Sequence, residues 1–226
     1  GFSILKYEGI GGMDRSIPHG LGKVPKFIIV KNLDTVNAES WPVWSNAYNN
    51  NGKSLRLNTT ALAGNNDQYF DGDLPPTTTT FTVGSNESIN TNGDNYIAYV
   101  WADVPGLQRF GKFNGNSDAD GVFVELGFKP TILLIKNWNS TGDWIIWDSA
   151  RNPVNPVNRQ IWPYTTSGTY GAYDQVGADY PLDFLSNGFK MRTTDADMNS
   201  SSRSYLYAAW AEAPTFNLYG GQSNAR

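Results

Sequence analysis

Two short stretches of this chain are apolar at every position. Residues 27–30 read Phe-Ile-Ile-Val between Pro25 and Asn32, and residues 132–135 read Ile-Leu-Leu-Ile between Pro130 and Asn137. An unbroken apolar run of this length, closed by a proline and an asparagine, predicts a strand covered on both faces. Two further runs, 96–102 and 205–211, set small alanines (Ala98, Ala102, Ala209, Ala211) among tyrosines and tryptophans, the texture of a central strand in a tightly packed sandwich. Turn chemistry punctuates the rest: Gly20-Leu21-Gly22, Asn49-Asn50-Asn51-Gly52, Asn92-Gly93 and Ser186-Asn187-Gly188. No window carries a sustained 3.6-residue apolar period, and 182–185 is the one place where a short helix fits. The pattern predicts an all-β chain.

The same pattern is written twice. Lys6-Tyr7-Glu8-Gly9 is echoed by Lys112-Phe113-Asn114-Gly115, and the strand 25–32 by 130–137. Trp41 and Trp44 return as Trp144 and Trp147, and the run 96–105 returns as 205–214. The offset moves only from 103 (Trp41 to Trp144) to 109 (Tyr96 to Tyr205), so the insertions fall in loops. Two tandem β-sandwich-like modules follow, 1–107 and 108–216, with a C-terminal tail over 217–226. Trp101 and Trp210, recurring at equivalent strand positions, are expected in the two cores. The spacing of three within each tryptophan pair puts its members on opposite strand faces, one in the core and one outward.

Composition narrows the chemistry. The 226 residues include no cysteine, which excludes a disulfide scaffold, a thiolate metal site and a cysteine nucleophile. A net charge of −4 makes nucleic acid a poor partner. No apolar run approaches the roughly 20 residues that cross a bilayer, so no membrane insertion is expected. Aromatics at 14% with only 17% charged residues, beside 24 Asn and 23 Gly, are too patterned for a disordered chain and too poor in charge for a helical bundle. The start at Gly1-Phe2, without methionine, reads as a boundary inside a longer polypeptide or a processed end.

Several segments together resemble a tandem β-rich module of marine and cyanobacterial phage virion proteins. They are Gly1-Phe2-Ser3-Ile4, Pro18-His19-Gly20-Leu21-Gly22 ahead of the 25–32 strand, Asn58-Thr59-Thr60, Gly93-Asp94-Asn95-Tyr96, Arg151-Asn152-Pro153, Asp183-Phe184-Leu185-Ser186-Asn187-Gly188-Phe189 and Ala211-Glu212-Ala213-Pro214, with Asn224-Ala225-Arg226 at the end. The resemblance covers the whole chain, doubling included. It implies a place at the C-terminal end of tail-fibre or other appendage proteins, on the virion surface, with other virion proteins as neighbours and a homotrimeric fibre as the usual setting. It brings no catalytic residue with it.

Enzyme signatures are thin. His19 is the sole histidine, so any Ser-His-Asp arrangement must use it, and no histidine metal set can form. Its place in Pro-His-Gly-Leu-Gly reads as a turn residue bonding local backbone. Asp118 with Asp120, and Asp195 with Asp197, are spaced i, i+2, which in an extended segment puts both carboxylates on one face. Three readings stand for these pairs: turn formation, a structural Ca²⁺ held by clustered oxygens, or acid–base work on a polysaccharide. Neither stretch has the full twelve-residue calcium loop, and no other cofactor is called for.

Binding chemistry points to aromatics outside the repeat, since sugar rings stack on Trp and Tyr while their hydroxyls pair with Asn, Asp and Arg. Trp138 stands where the first module has Leu33, and Trp162 and Tyr164 head a polar loop that also holds Tyr170 and Tyr173. These rings are candidates for ligand binding or for packing at an interface. Arg151, heading the loop Arg151-Asn152-Pro153-Val154-Asn155-Pro156, can meet a glycan carboxylate or lock its own loop. The expected function is a non-enzymatic virion appendage module displaying loops to a host-surface glycan or receptor. The alternatives are a structural decoration or fibre-scaffold protein and a polysaccharide-cleaving tail enzyme.

Overall fold

Alternation in residue size becomes alternation in burial along the strand Asn95–Trp101, where Tyr96, Ala98 and Val100 are buried while Ile97, Tyr99 and Trp101 are half-exposed. The computed structural model describes all residues except 13, 35–39, 49–52, 66–67, 72–73, 164–172, 177–179 and 214–226, and for 65 and 173–176 it describes the backbone alone. The chain divides into two compact units, Gly1–Ala102 and Asp103–Arg226.

The first unit contains β1 (Phe2–Glu8), β2 (Arg15–Pro18), β3 (Phe27–Asn32), β4 (Pro42–Ser45), β5 (Lys53–Arg56), β6 (Gly64–Asn65), β7 (Thr80–Val83), α1 (Glu87–Asn90) and β8 (Asn95–Trp101). Its large antiparallel sheet runs β1-β8-β3-β4-β5-β6, and β2 pairs with β7 in a second, two-stranded sheet. The second unit contains β9 (Gln108–Asn114), β10 (Phe123–Glu125), β11 (Ile132–Asn137), β12 (Trp144–Asp148), β13 (Arg159–Trp162), β14 (Tyr173–Val176), β15 (Leu182–Leu185), β16 (Gly188–Met191), α2 (Ala196–Asn199) and β17 (Ser204–Trp210). Its large sheet, taken from the β9 edge, runs β9-β17-β11-β12-β13-β14, with a three-stranded sheet β10-β16-β15 beside it. Strand for strand, the order in one large sheet corresponds to that in the other. No helix among the described residues is long and apolar enough to cross a membrane.

Each unit has one main core between its large and small sheets. In the first, Ile28, Val30, Trp44, Tyr96, Ala98 and Val100 face Ile17, Phe81, Val83 and Ile89. In the second, Leu133, Ile135, Ile145, Trp147, Tyr205 and Tyr207 face Phe184, Phe189, Met191 and Met198. The apolar run of β3 is covered on both faces, as its sequence predicts: Phe27, Ile28 and Val30 are fully buried and Ile29 nearly so.

Three sequence expectations change. Residues 182–185 form β15, paired with β16, because Ser186-Asn187 turns the chain straight back into a hairpin. Trp101 and Trp210 lie on the outer sheet faces: with Tyr96 and Tyr205 pointing inward, period-two alternation turns the tryptophans five residues on to the other side. Trp101 stacks on Phe2 at 4.8 Å between centroids, and Trp210 meets Phe110 edge-on at 5.5 Å. The pairs Trp41/Trp44 and Trp144/Trp147 do split between faces, but Trp144 is fully buried on its outer face rather than exposed.

A shared device closes the end of both units. Gly9 and Gly115 pass so close to the chain after each short helix that a Cβ would lie 2.0 Å from the Thr91 carbonyl and 2.3 Å from the Ser200 carbonyl. Beside them, buried Asn90 accepts from Ile10 N and donates to Gly84 O, while buried Asn199 accepts from Asn116 N and donates to backbone and side-chain oxygens of Asn116, Asp118 and Thr193. Tyr96 and Tyr205 complete the device, each hydroxyl donating to the helix start (Glu87 O, Ala196 O) and accepting from the residue after the helix (Thr91 N, Ser200 N).

Candidate functional site

The polar residues singled out in the sequence serve the framework. The buried His19 ring accepts from Leu21 N at Nδ1, and its Nε2–H donates to Thr77 O at 3.2 Å, so it binds two backbone segments to each other. Asp118 accepts from Asp120 N at 2.9 Å, a local turn. Asp120 contacts Lys190 Nζ at 2.8 Å and Arg192 Nη1 at 2.7 Å, and these two cations hold its carboxyl below the usual range. Asp195 caps α2 through Asp197 N, and Asp197 pairs with Arg203 at 3.1 Å. Asn199 stitches the segments that carry both aspartate pairs, yet among the described residues no group of three or more His, Asp or Glu side chains is placed to hold a metal ion.

The ligand-binding candidates are not gathered into one place. Register along β11, β12 and β13 sets Trp138 and Trp162 at the sheet end where β12 begins, and Arg151 at the opposite end. Trp162 packs against the second core beside Tyr180, at 6.3 Å. Trp138 is half-buried. Arg151 Nε lies 2.5 Å from Asp148 Oδ2, Asn152 accepts from Asn158 N and Arg159 N, and Asn155 bridges both backbone groups of Phe184. These contacts fit the second of the two readings of this loop, locking itself to the unit. Tyr173 lies in β14 opposite Trp162, with its side chain outside the described residues, as are Tyr164, Tyr170 and the 217–226 tail.

A site that sequence reasoning missed lies in the first unit. Val24, Pro25 and Lys26, on the approach to β3, meet Trp44 and Asn46 at the end of β4 and Pro75 and Pro76 from the segment before β7. Together they line a groove of about 420 Å³. Val24 and Pro75 supply its exposed apolar surface, with Pro25, Pro76 and Trp44 buried behind them, and Lys26 is the one charged residue among the described lining residues. Neither the Lys26 ammonium nor the Asn46 side-chain amide has a partner among the described residues. The available sequence signal was proline density beside a repeated tryptophan, but the 75–76 segment meets it only through folding. A hollow of about 320 Å³ in the second unit differs in kind: its Asp103 accepts from Phe110 N and its Arg109 donates to Glu125 O.

A family model described as a domain of unknown function, DUF7483, matches residues 1–214. No curated protein and no solved structure matches the chain significantly.

Proposed function

The chain belongs to the DUF7483 family, and we propose that it is a non-enzymatic module of a phage virion appendage, of tail-fibre type, that recognises a glycan on the host surface. The observation that carries this reading is the groove beside Trp44. It combines an exposed apolar surface, Val24 and Pro75, with two polar side chains that have no partner among the described residues, the combination expected of a small-ligand site. The sequence resemblance to virion appendage modules supports the location. A shallow groove of this size makes a weak site, and several copies on one particle supply the avidity.

Adsorption tests this reading. The purified chain should bind cells of a susceptible cyanobacterial host and slow adsorption of the phage, and failure in both assays would sink it. One observation favours a structural role instead: Phe2 and Ile4, 47% and 55% exposed, form an apolar stripe on the edge strand β1. An open edge with apolar side chains is a seat for a neighbouring virion protein. In that case Phe2→Ser with Ile4→Ser abolishes incorporation into particles, while cell binding is absent from the start.

A further inference from the structure

We propose that the groove beside Trp44 is a subsite for a carboxylate-bearing sugar, such as a uronic or sialic acid residue within an oligosaccharide. This rests on the glycan-recognition reading above and adds the charge of the ligand to it. Charge complementarity is the first ground. The chain carries −4 overall, yet among the described lining residues the groove has one cation, Lys26, and no anion. An unengaged ammonium at the rim of an apolar groove favours a carboxylate over a neutral hydroxyl, because a charge-assisted hydrogen bond is about twice as strong as a neutral one.

The backbone argues for a sugar rather than a peptide. Extended peptides are recognised largely through main-chain hydrogen bonds. Pro25, Pro75 and Pro76 have no N–H to offer. Lys26 N already donates to Trp101 O and Asn46 N to Lys26 O, so these five residues leave no donor for a peptide ladder. A sugar needs none: its C–H face lies against Val24 and Pro75, and its hydroxyls reach the Asn46 amide. The second unit lacks this arrangement. Where the first has Lys26 and Asn46 it has Thr131 and Ser149.

The test uses the full chain and a panel of trigalacturonate, a glucuronate trisaccharide and sialyllactose, with maltotriose and a tri-aspartate peptide as controls. Binding is followed by titration calorimetry and by shifts of tryptophan indole N–H signals. At least one acidic sugar should bind about tenfold or more tightly than maltotriose, the equivalent of one charge-assisted hydrogen bond. Lys26→Gln should remove that preference while leaving the melting temperature unchanged, and Asn46→Ala should weaken all sugars alike. Equal binding of acidic and neutral sugars overturns the assigned charge, and equal binding of tri-aspartate overturns the assigned ligand class. If no acidic sugar binds while the chain still adheres to host cells, this subsite is wrong and the recognition reading stands. If both fail, both fall.

Discussion

The two units place a lysine and a tryptophan side by side at corresponding positions, and the pairs live in different surroundings. In the first, Lys31 Nζ lies 5.5 Å from the centre of the Trp41 ring, and both residues are half-buried. In the second, Lys136 and Trp144 sit opposite each other on β11 and β12 and neither has any exposed surface. Burial, opposed by Asp143 and Asp197, pulls the Lys136 ammonium down to about 8, and Nζ donates to Asn137 O at 2.6 Å. The neighbouring asparagines diverge with them. Asn32 Nδ2 donates to Asp94 at 2.9 Å, but Arg203 stands where the first unit has Asp94, and Asn137 Nδ2 is buried without a hydrogen-bond partner among the described residues. Asp143, one of whose buried oxygens likewise lacks a partner among the described residues, is pushed up by burial and by Asp197. Identical strand patterns therefore carry different electrostatics, and the second unit holds the more costly set.

The largest expected effect is one the units should share. Gly9→Ala and Gly115→Ala each drive a Cβ into a backbone carbonyl, and each should cost about 4 kcal/mol or more, measured by urea denaturation. A tolerant Gly115→Ala beside an intolerant Gly9→Ala would break the equivalence of the two closing devices.

The buried asparagines should act alike in the two units. Asn199→Ala and Asn90→Ala each strip a buried side chain of hydrogen bonds to backbone and should each cost about 3 kcal/mol, measured by urea denaturation. A negligible loss at one of them would break the equivalence.

The lysines sharpen the contrast through pH. A folded-state value lowered from 10.5 to about 8 means the unfolded chain binds more protons between those values, so stability should rise with pH across that window. The penalty, roughly 3 kcal/mol, is complete below pH 8 and relieved as the ammonium deprotonates in the folded state. Comparing the chain with Lys136→Met cancels the tyrosine titrations, and the stability difference should change by about 2 kcal/mol between pH 7 and 9.5. Lys31→Met should change stability by less than about 0.5 kcal/mol. A flat Lys136 comparison would show that water reaches this lysine.

Much of the fold was legible in the residues. The strands Phe27–Asn32 and Ile132–Asn137 announce themselves because β-branched runs between proline and asparagine have few other uses. The two helices did not, since four residues are too few for a helical period, although Asn86 and Asp195 are good N-cap residues. Asn90 and Asn199 were missed despite recurring six residues before Tyr96 and Tyr205, because in a chain with 24 asparagines a repeated one carries little weight. The candidate site was hardly legible at all. Trp162 and Arg151 were marked for their chemistry, and the fold spends one on packing and the other on Asp148. Lys26 and Asn46, ordinary in sequence, have side chains without a partner among the described residues.

The sequence by itself determined the apolar strands, the repeat that pairs them and the alternation of side chains along each strand, because these follow from the two-residue period of an extended chain. Only the tertiary structure decided what covers each face. Trp101 and Trp210 repeat faithfully yet point away from the cores, and Lys136 is dry where Lys31 is half-exposed. Solvent exposure depends on segments that meet from far along the chain, and no local pattern encodes which will arrive. The groove at Trp44 depends on such a meeting, between prolines 75 and 76 and a lysine some fifty residues earlier in the chain.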